Sequence, residues 1–119
     1  MARMSAELFD KVASRFKALG EPARLRILDA LRSGELSVGD LCGRTTLNQA
    51  NLSKHLQLLH TLGFVKRRKN GLFVYYALAD HDVFQLCDIM CGRLDPQRTT
   101  GATTSSRRST SRRASVRRR

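Results

Sequence analysis

The stretch that decides the fold is LNQANLSKHLQLLHTLGFV, residues 47–65, followed directly by KRRKNGLFVYYAL, residues 66–78. Between positions 48 and 62, Leu52, Leu56, Leu59 and Leu62 recur at three- and four-residue intervals, which predicts a helix with one buried side. Gly63 suits the left-handed residue that closes such a helix. Beyond it the period becomes that of a strand. Residues 64–68 and 72–78 are rich in aromatic and β-branched types, and Asn70-Gly71 between them predicts a type I′ hairpin turn.

Three more helices precede this block. Leu8, Phe9, Val12, Phe16 and Leu19 form a helical stripe over 6–19, with Ser5 as N-cap and Gly20 as its stop. Pro22 opens a second helix over 22–31 that buries Leu25, Ile27 or Leu28, and Leu31, and ends at Ser33-Gly34. Ser37 caps a short third helix to about Arg44, and a tight connection over 45–47 leads into the helix at Asn48. After the hairpin, Asp80 is placed to cap a last helix over 81–94, with Val83, Leu86, Ile89, Met90 and Leu94 as its apolar face. The expected fold is mainly α with a small β-hairpin wing. Two short helices joined by a tight turn and followed by a hairpin make a winged helix-turn-helix.

Charge divides the chain in two. Of its 119 residues, positions 1–94 hold 14 Lys/Arg and 9 Asp/Glu, while positions 95–119 hold 8 Arg and only Asp95 as an acid. The overall excess of +12 points to a polyanionic partner. The expected organisation is a DNA-binding and dimerisation domain over 1–94 and a disordered Arg/Ser/Thr-rich tail over 95–119, too poor in apolar residues to offset its ordering entropy. That tail serves either as a phosphate-binding arm or as a solubilising extension. No apolar run approaches the roughly 20 residues of a membrane span, and the first ten residues lack a signal-peptide core, so the expected location is cytoplasmic, with no membrane partner.

The start of the 48–62 helix is polar in the way a base-reading surface requires. Asn48, Gln49, Asn51, Ser53 and Lys54 lead it, and Asn or Gln amides pair bidentately with adenine while Ser serves either kind of pair. The basic run Lys66, Arg67, Arg68, Lys69 leads into the hairpin turn, where it is placed for phosphates or the minor groove. The alternative is that these cations merely solvate an exposed edge strand. His55 is read as a DNA-backbone contact, and His60 as solvent-facing.

The runs PARLRIL (22–28), LNQANLSKHL (47–56) and LGFV (62–65) together resemble the ArsR/SmtB family of bacterial metalloregulatory repressors. Gly71 followed by VYYAL (74–78) is similar to that family's wing, and the resemblance covers about residues 6–94. It implies a homodimeric repressor that leaves double-stranded operator DNA when an inducer binds, with the first and last helices building the dimer interface. It also implies DNA contacts at Gln49, Ser53 and His55, with Ala50 standing where a Ser is common.

The resemblance narrows the inducer by subtraction. The family's thiol box at the third helix reads ELSVGDL here (35–41), without either cysteine; its Asp-x-His site reads Asp80-His81-Asp82, with Arg93 where a later His would fall. What remains is Cys87 and Cys91, four residues apart on one helix face, a spacing suited to two thiolates on a soft ion. As(III) or Sb(III), or a soft divalent metal such as Cd(II), Pb(II) or Hg(II), is the expected inducer. Cys42 is a candidate third thiolate or a small buried hydrophobe, and other third donors are a dimer mate, His81, Asp88 or an external thiol. Simple packing, thiol-redox chemistry and persulfide sensing are the other readings of the pair. A regulator that binds DNA without any inducer is a further alternative.

Catalysis finds no support. No Cys-x-x-Cys, nucleophile–base pair, Gly-rich phosphate loop or two-carboxylate arrangement occurs, so the chain is expected not to be an enzyme.

Overall fold

The computed structural model describes residues 3–95 and 97. The helices α1 (Ala6–Leu19), α2 (Pro22–Ala30), α3 (Val38–Thr45), α4 (Gln49–Thr61) and α5 (Val83–Leu94) alternate with a three-stranded sheet of β1 (Leu36–Ser37), β2 (Val65–Asn70) and β3 (Phe73–Leu78). Two compact units result, Met1–Asp80 and His81–Arg119. The division falls before the last helix, and the expected 95–119 tail lies outside the described residues except for Asp95 and Gln97.

Local chemistry sets the boundaries. Ser5 Oγ accepts the Leu8 amide and Ser37 Oγ accepts the Asp40 amide, so two expected N-caps form as hydroxyl caps. The second helix stops at Ala30 and tightens into a 3-10 turn over Leu31–Ser33, released by Gly34 at φ +136°. Its core residues are Ile27, Leu28 and Leu31, whereas Leu25 is exposed. The last helix starts at Val83, with Asp82 rather than Asp80 at its cap position and no side-chain cap bond.

The wing departs from expectation in two ways. A third strand is present: Leu36 and Ser37 pair antiparallel with Tyr76 and Tyr75, giving the order β1-β3-β2. The hairpin turn is also displaced by one residue. Asn70 pairs with Phe73, so the two-residue loop is Gly71-Leu72, and only Gly71 has positive φ (+63°). That is the type II′ pattern, which needs glycine at its first central position; type I′ would require positive φ at both.

The core of the first unit is aliphatic. Ile27 and Leu28 of α2, Leu31 of the 3-10 turn, Leu41 of α3, and Leu52, Leu56 and Leu59 of α4 are all fully buried. Phe64, Val65, Tyr76 and Leu78 close it on the sheet side. Thr45 is the one buried polar residue among those described, and its hydroxyl donates to the Leu41 carbonyl at 2.6 Å, so it carries no unsatisfied group. By contrast α1 contributes only Ala18 to the core, leaving Leu8, Phe9 and Phe16 exposed. In the second unit, Leu86, Ile89, Met90 and Leu94 of α5 are likewise exposed. Among the described residues no helix is long and apolar enough to cross a membrane.

Candidate nucleic-acid interface

The surface begins at a turn that the backbone makes with some strain. Thr46, between α3 and α4, has φ +59°, an uncommon conformation for a β-branched residue. It reverses the chain so that Asn48 enters α4 in extended conformation, and Asn48 Oδ1 accepts the Asn51 amide at 2.8 Å. Asn48 is therefore a cap first. Bidentate recognition of adenine uses the amide oxygen as well as the nitrogen, and that oxygen is already engaged. Asn48→Ala is expected to cost about 1 kcal/mol of stability, read as a lower denaturant midpoint at unchanged slope.

Beyond the cap, 100° per residue distributes the first two turns of α4. Leu52, Leu56 and Leu59 define the inner side. Directly opposite lie Ala50 and Lys54, flanked by Ser53 on one edge and by Asn51 on the other; Gln49 falls two turns before Leu56, on the leucine side, where the start of the helix leaves it open, and all five are exposed. The expected reading set thus combines the exposed first turn of α4 with an outer side carried on by Ser53 and Lys54. The helix N-terminus beneath it adds a partial positive charge that favours phosphate.

His55 is half-buried at the margin of this face, and a residue that sequence reasoning overlooked orients it. Arg24 of α2 approaches His55 Nδ1 at 3.2 Å through Nη1. A guanidinium only donates, so Nδ1 is the acceptor and the ring proton sits on Nε2. Arg24 also donates from Nε to the Ala18 carbonyl at 2.6 Å and from Nη2 to that of Lys17 at 3.4 Å. It thereby caps the Ala18 carbonyl at the end of α1, adds to the Lys17 carbonyl that already accepts the Gly20 amide, and ties α1 to the recognition helix. Arg15 stacks over the Phe64 ring at 5.2 Å and makes a second such tie just past α4.

The wing separates a basic run that reads as continuous in sequence. Strand alternation puts Arg67 and Lys69 on one face of β2, and Lys66 and Arg68 on the other. Arg68 is engaged within the chain: its Nε and Nη2 donate to Glu35 Oε2 and Oε1 at 3.0 and 2.7 Å. Its guanidinium lies 4.7 Å from the centre of the Tyr75 ring. The hydrogen bond from Arg68 holds the Glu35 carboxyl below the usual carboxylate range, and the same bond raises Arg68. The pair is intact at neutral pH and is lost as pH falls through that lowered value. Arg67 and Lys69 are exposed.

The cysteines divide between the two units, Cys42 in the first and Cys87 and Cys91 in the second. Cys42 is half-buried on α3; Cys87 and Cys91 are half-buried thiols one turn apart on α5. Among the described residues no group of three or more His, Cys, Asp or Glu is arranged to hold a metal. Two thiolates at this spacing suit a soft ion chemically.

Comparison with known proteins places this geometry. The family model for bacterial regulatory proteins of the arsR family matches residues 21–67, from α2 into β2. A Synechocystis transcriptional repressor SmtB homolog is 39% identical over 83 residues, covering 70% of this chain and 63% of its own length. A Staphylococcus aureus cadmium resistance regulator, the CadC homolog, is 44% identical over 78 residues, covering 65% and 64%. The chain thus spans just under two thirds of each of these relatives. Among solved structures, the homodimeric winged helix-turn-helix DNA-binding domain of Mb0332 from Mycobacterium bovis is 34% identical with a TM-score of 0.69, covering 84% of this chain and 99% of that domain. With the family model matched over the helix-turn-helix and a winged helix-turn-helix domain matched over nearly its whole length, this chain belongs to the arsR family of bacterial regulatory proteins.

Proposed function

We propose that the protein is a homodimeric, sequence-specific DNA-binding repressor, released from its operator by an inducer at the Cys87 and Cys91 thiols. The observation that carries the DNA-binding reading is the exposed polar start of α4, with Gln49, Asn51, Ser53 and Lys54, together with the cations Arg67 and Lys69 on β2. Base edges are read by the first and phosphates are held by the second. Dimerisation is supported by the exposed apolar residues of α1 and, separately, of α5, and by the homodimeric state of the Mb0332 domain.

The inducer reading rests on the i,i+4 thiols of α5, which share that helix with Leu86, Ile89 and Met90. If α5 lies at the dimer interface, a soft ion bound there changes how two recognition helices are spaced, and repression ends when the released dimer binds inducer more tightly than the DNA-bound one. As(III), Sb(III) or a soft divalent metal fits thiolate chemistry, and the likeness to a cadmium resistance regulator supports that class. The same half-buried i,i+4 pair supports a second reading, oxidation of two thiols by peroxide or polysulfide. With peroxide, the two thiols lose two electrons and two protons, a disulfide forms between protomers and the peroxide leaves as two waters; with a polysulfide, one sulfur atom is inserted as a bridge across the pair, and the protons and electrons leave as hydrogen sulfide and a polysulfide shorter by two sulfurs.

The test is footprinting and gel-shift on the promoter of the protein's own gene, with As(III), Sb(III), Cd(II), Zn(II), polysulfide and peroxide added in turn. A footprint over an inverted repeat is expected, and the class of compound that clears it names the chemistry. Cys87→Ser/Cys91→Ser is expected to bind the operator with unchanged affinity and to stay bound in every arm. Normal release of that variant overturns the sensor assignment; binding indifferent to sequence overturns the repressor reading.

A further inference from the structure

DNA contact does not account for Glu35. It stands just ahead of β1, on the far side of the central strand from β2, yet its carboxylate reaches across to Arg68. Tyr75 is the residue bridged: it pairs with Ser37 on one side and Arg68 on the other, and the guanidinium rests over its ring. The two hydrogen bonds use the fork geometry that an arginine uses on a phosphate.

Stability is only part of what such a pair does. Arg68 is 52% and Glu35 38% exposed at the side chain, and an exposed pair contributes little to folding beyond what its bidentate geometry adds locally at the wing. Its consequence is electrostatic. A guanidinium held by a carboxylate neutralises no phosphate, so it displaces none of the cations condensed on DNA and adds nothing to the salt-dependent part of binding.

We propose that Glu35 is an intramolecular phosphate surrogate that withdraws Arg68 from nucleic acid, fixes the wing across β3, and leaves Arg67 and Lys69 as the wing's phosphate contacts. The inference rests on the DNA-binding reading above and deepens it. Sequestration of this kind lowers affinity for any duplex alike, so it favours selectivity: it trims the sequence-independent term without touching the base-reading face of α4.

The experiment measures binding of the full-length chain to a random-sequence duplex as a function of salt. Arg67→Gln and Lys69→Gln are each expected to flatten the logarithmic salt slope by about 0.9 per engaged wing. Arg68→Gln is expected to leave the slope unchanged, and Glu35→Gln to steepen it by about 0.9. For Glu35→Gln, the loss of affinity between about 50 and 200 mM salt then grows roughly 3.5-fold per wing. An Arg68→Gln variant that flattens the slope as Arg67→Gln does, or a Glu35→Gln variant that keeps the native slope, overturns the proposal. Slopes indifferent to Arg67→Gln and Lys69→Gln as well remove the wing from DNA altogether, and both readings fall. In the free protein, carbon-13 titration of the Glu35 carboxyl is expected to fall below the ordinary range and to return to it in Arg68→Gln. Identical titration in the two proteins refutes the clamp whatever the DNA results.

Discussion

Replacing Gln49 with Ala is expected to remove most of the discrimination between operator and random DNA while leaving the folded chain as stable as before. Gln49 occupies the first position of α4, is exposed, and makes no contact that the cap or core requires. A bidentate amide–adenine pair is worth about 1–3 kcal/mol of discrimination, and a dimer on two half-sites loses it twice, so specific affinity should fall by at least about thirtyfold. Affinity for random duplex should not change, because no phosphate contact is lost, and the salt slope should stay at its native value. Parallel titrations on operator and random duplexes check both statements. A matched fall on the two duplexes would show that the side chain holds the backbone instead of reading a base.

The contrast with Asn48 shows which parts of this surface sequence can and cannot disclose. Both residues look alike as amides at the head of a leucine-patterned helix. Only the dihedral angles of Asn48 and the engagement of its oxygen by the Asn51 amide show that one is a cap, while Gln49 stands exposed in the first turn. Helices with a long apolar period were legible because burial imposes that period directly, as Leu52, Leu56 and Leu59 illustrate. A two-residue strand has no period to detect, so Leu36–Ser37 could not be anticipated. The hairpin at Asn70-Gly71 was legible as a turn but not in register, since one glycine satisfies either turn type and cross-strand pairing decides between them. The pairs that organise the site join residues 31 and 33 positions apart, Arg24 with His55 and Glu35 with Arg68. No local pattern foreshadows contacts at that separation. The run of four cations in β2 accordingly reads as one patch in sequence, although the pleat divides it.

The second large effect is expected inside the helix that carries Gln49. Leu56 is 1% exposed, flanked along α4 by Leu52 and Leu59, which are equally buried. The helix packs against α2, α3 and β2, so a cavity left at this position has walls from several elements and little freedom to collapse. Leu56→Ala is therefore expected to destabilise the fold by about 2–5 kcal/mol, a large part of the roughly 5–15 kcal/mol typical of a domain. Leu58→Ala, two residues on but 38% exposed, should cost far less. Denaturant unfolding of the two variants measures the difference, and equal midpoints would contradict the assignment of the inner face. Binding supplies the complementary test. Where Leu56→Ala remains mostly folded, its polar face is intact, and its ratio of specific to random affinity should match the native protein. Gln49→Ala should show the opposite pairing, native stability with lost selectivity. The two substitutions lie seven residues, about two turns, apart on one side of the helix, so separate outcomes would establish that the buried middle of α4 supports the fold while its exposed first turn reads the DNA.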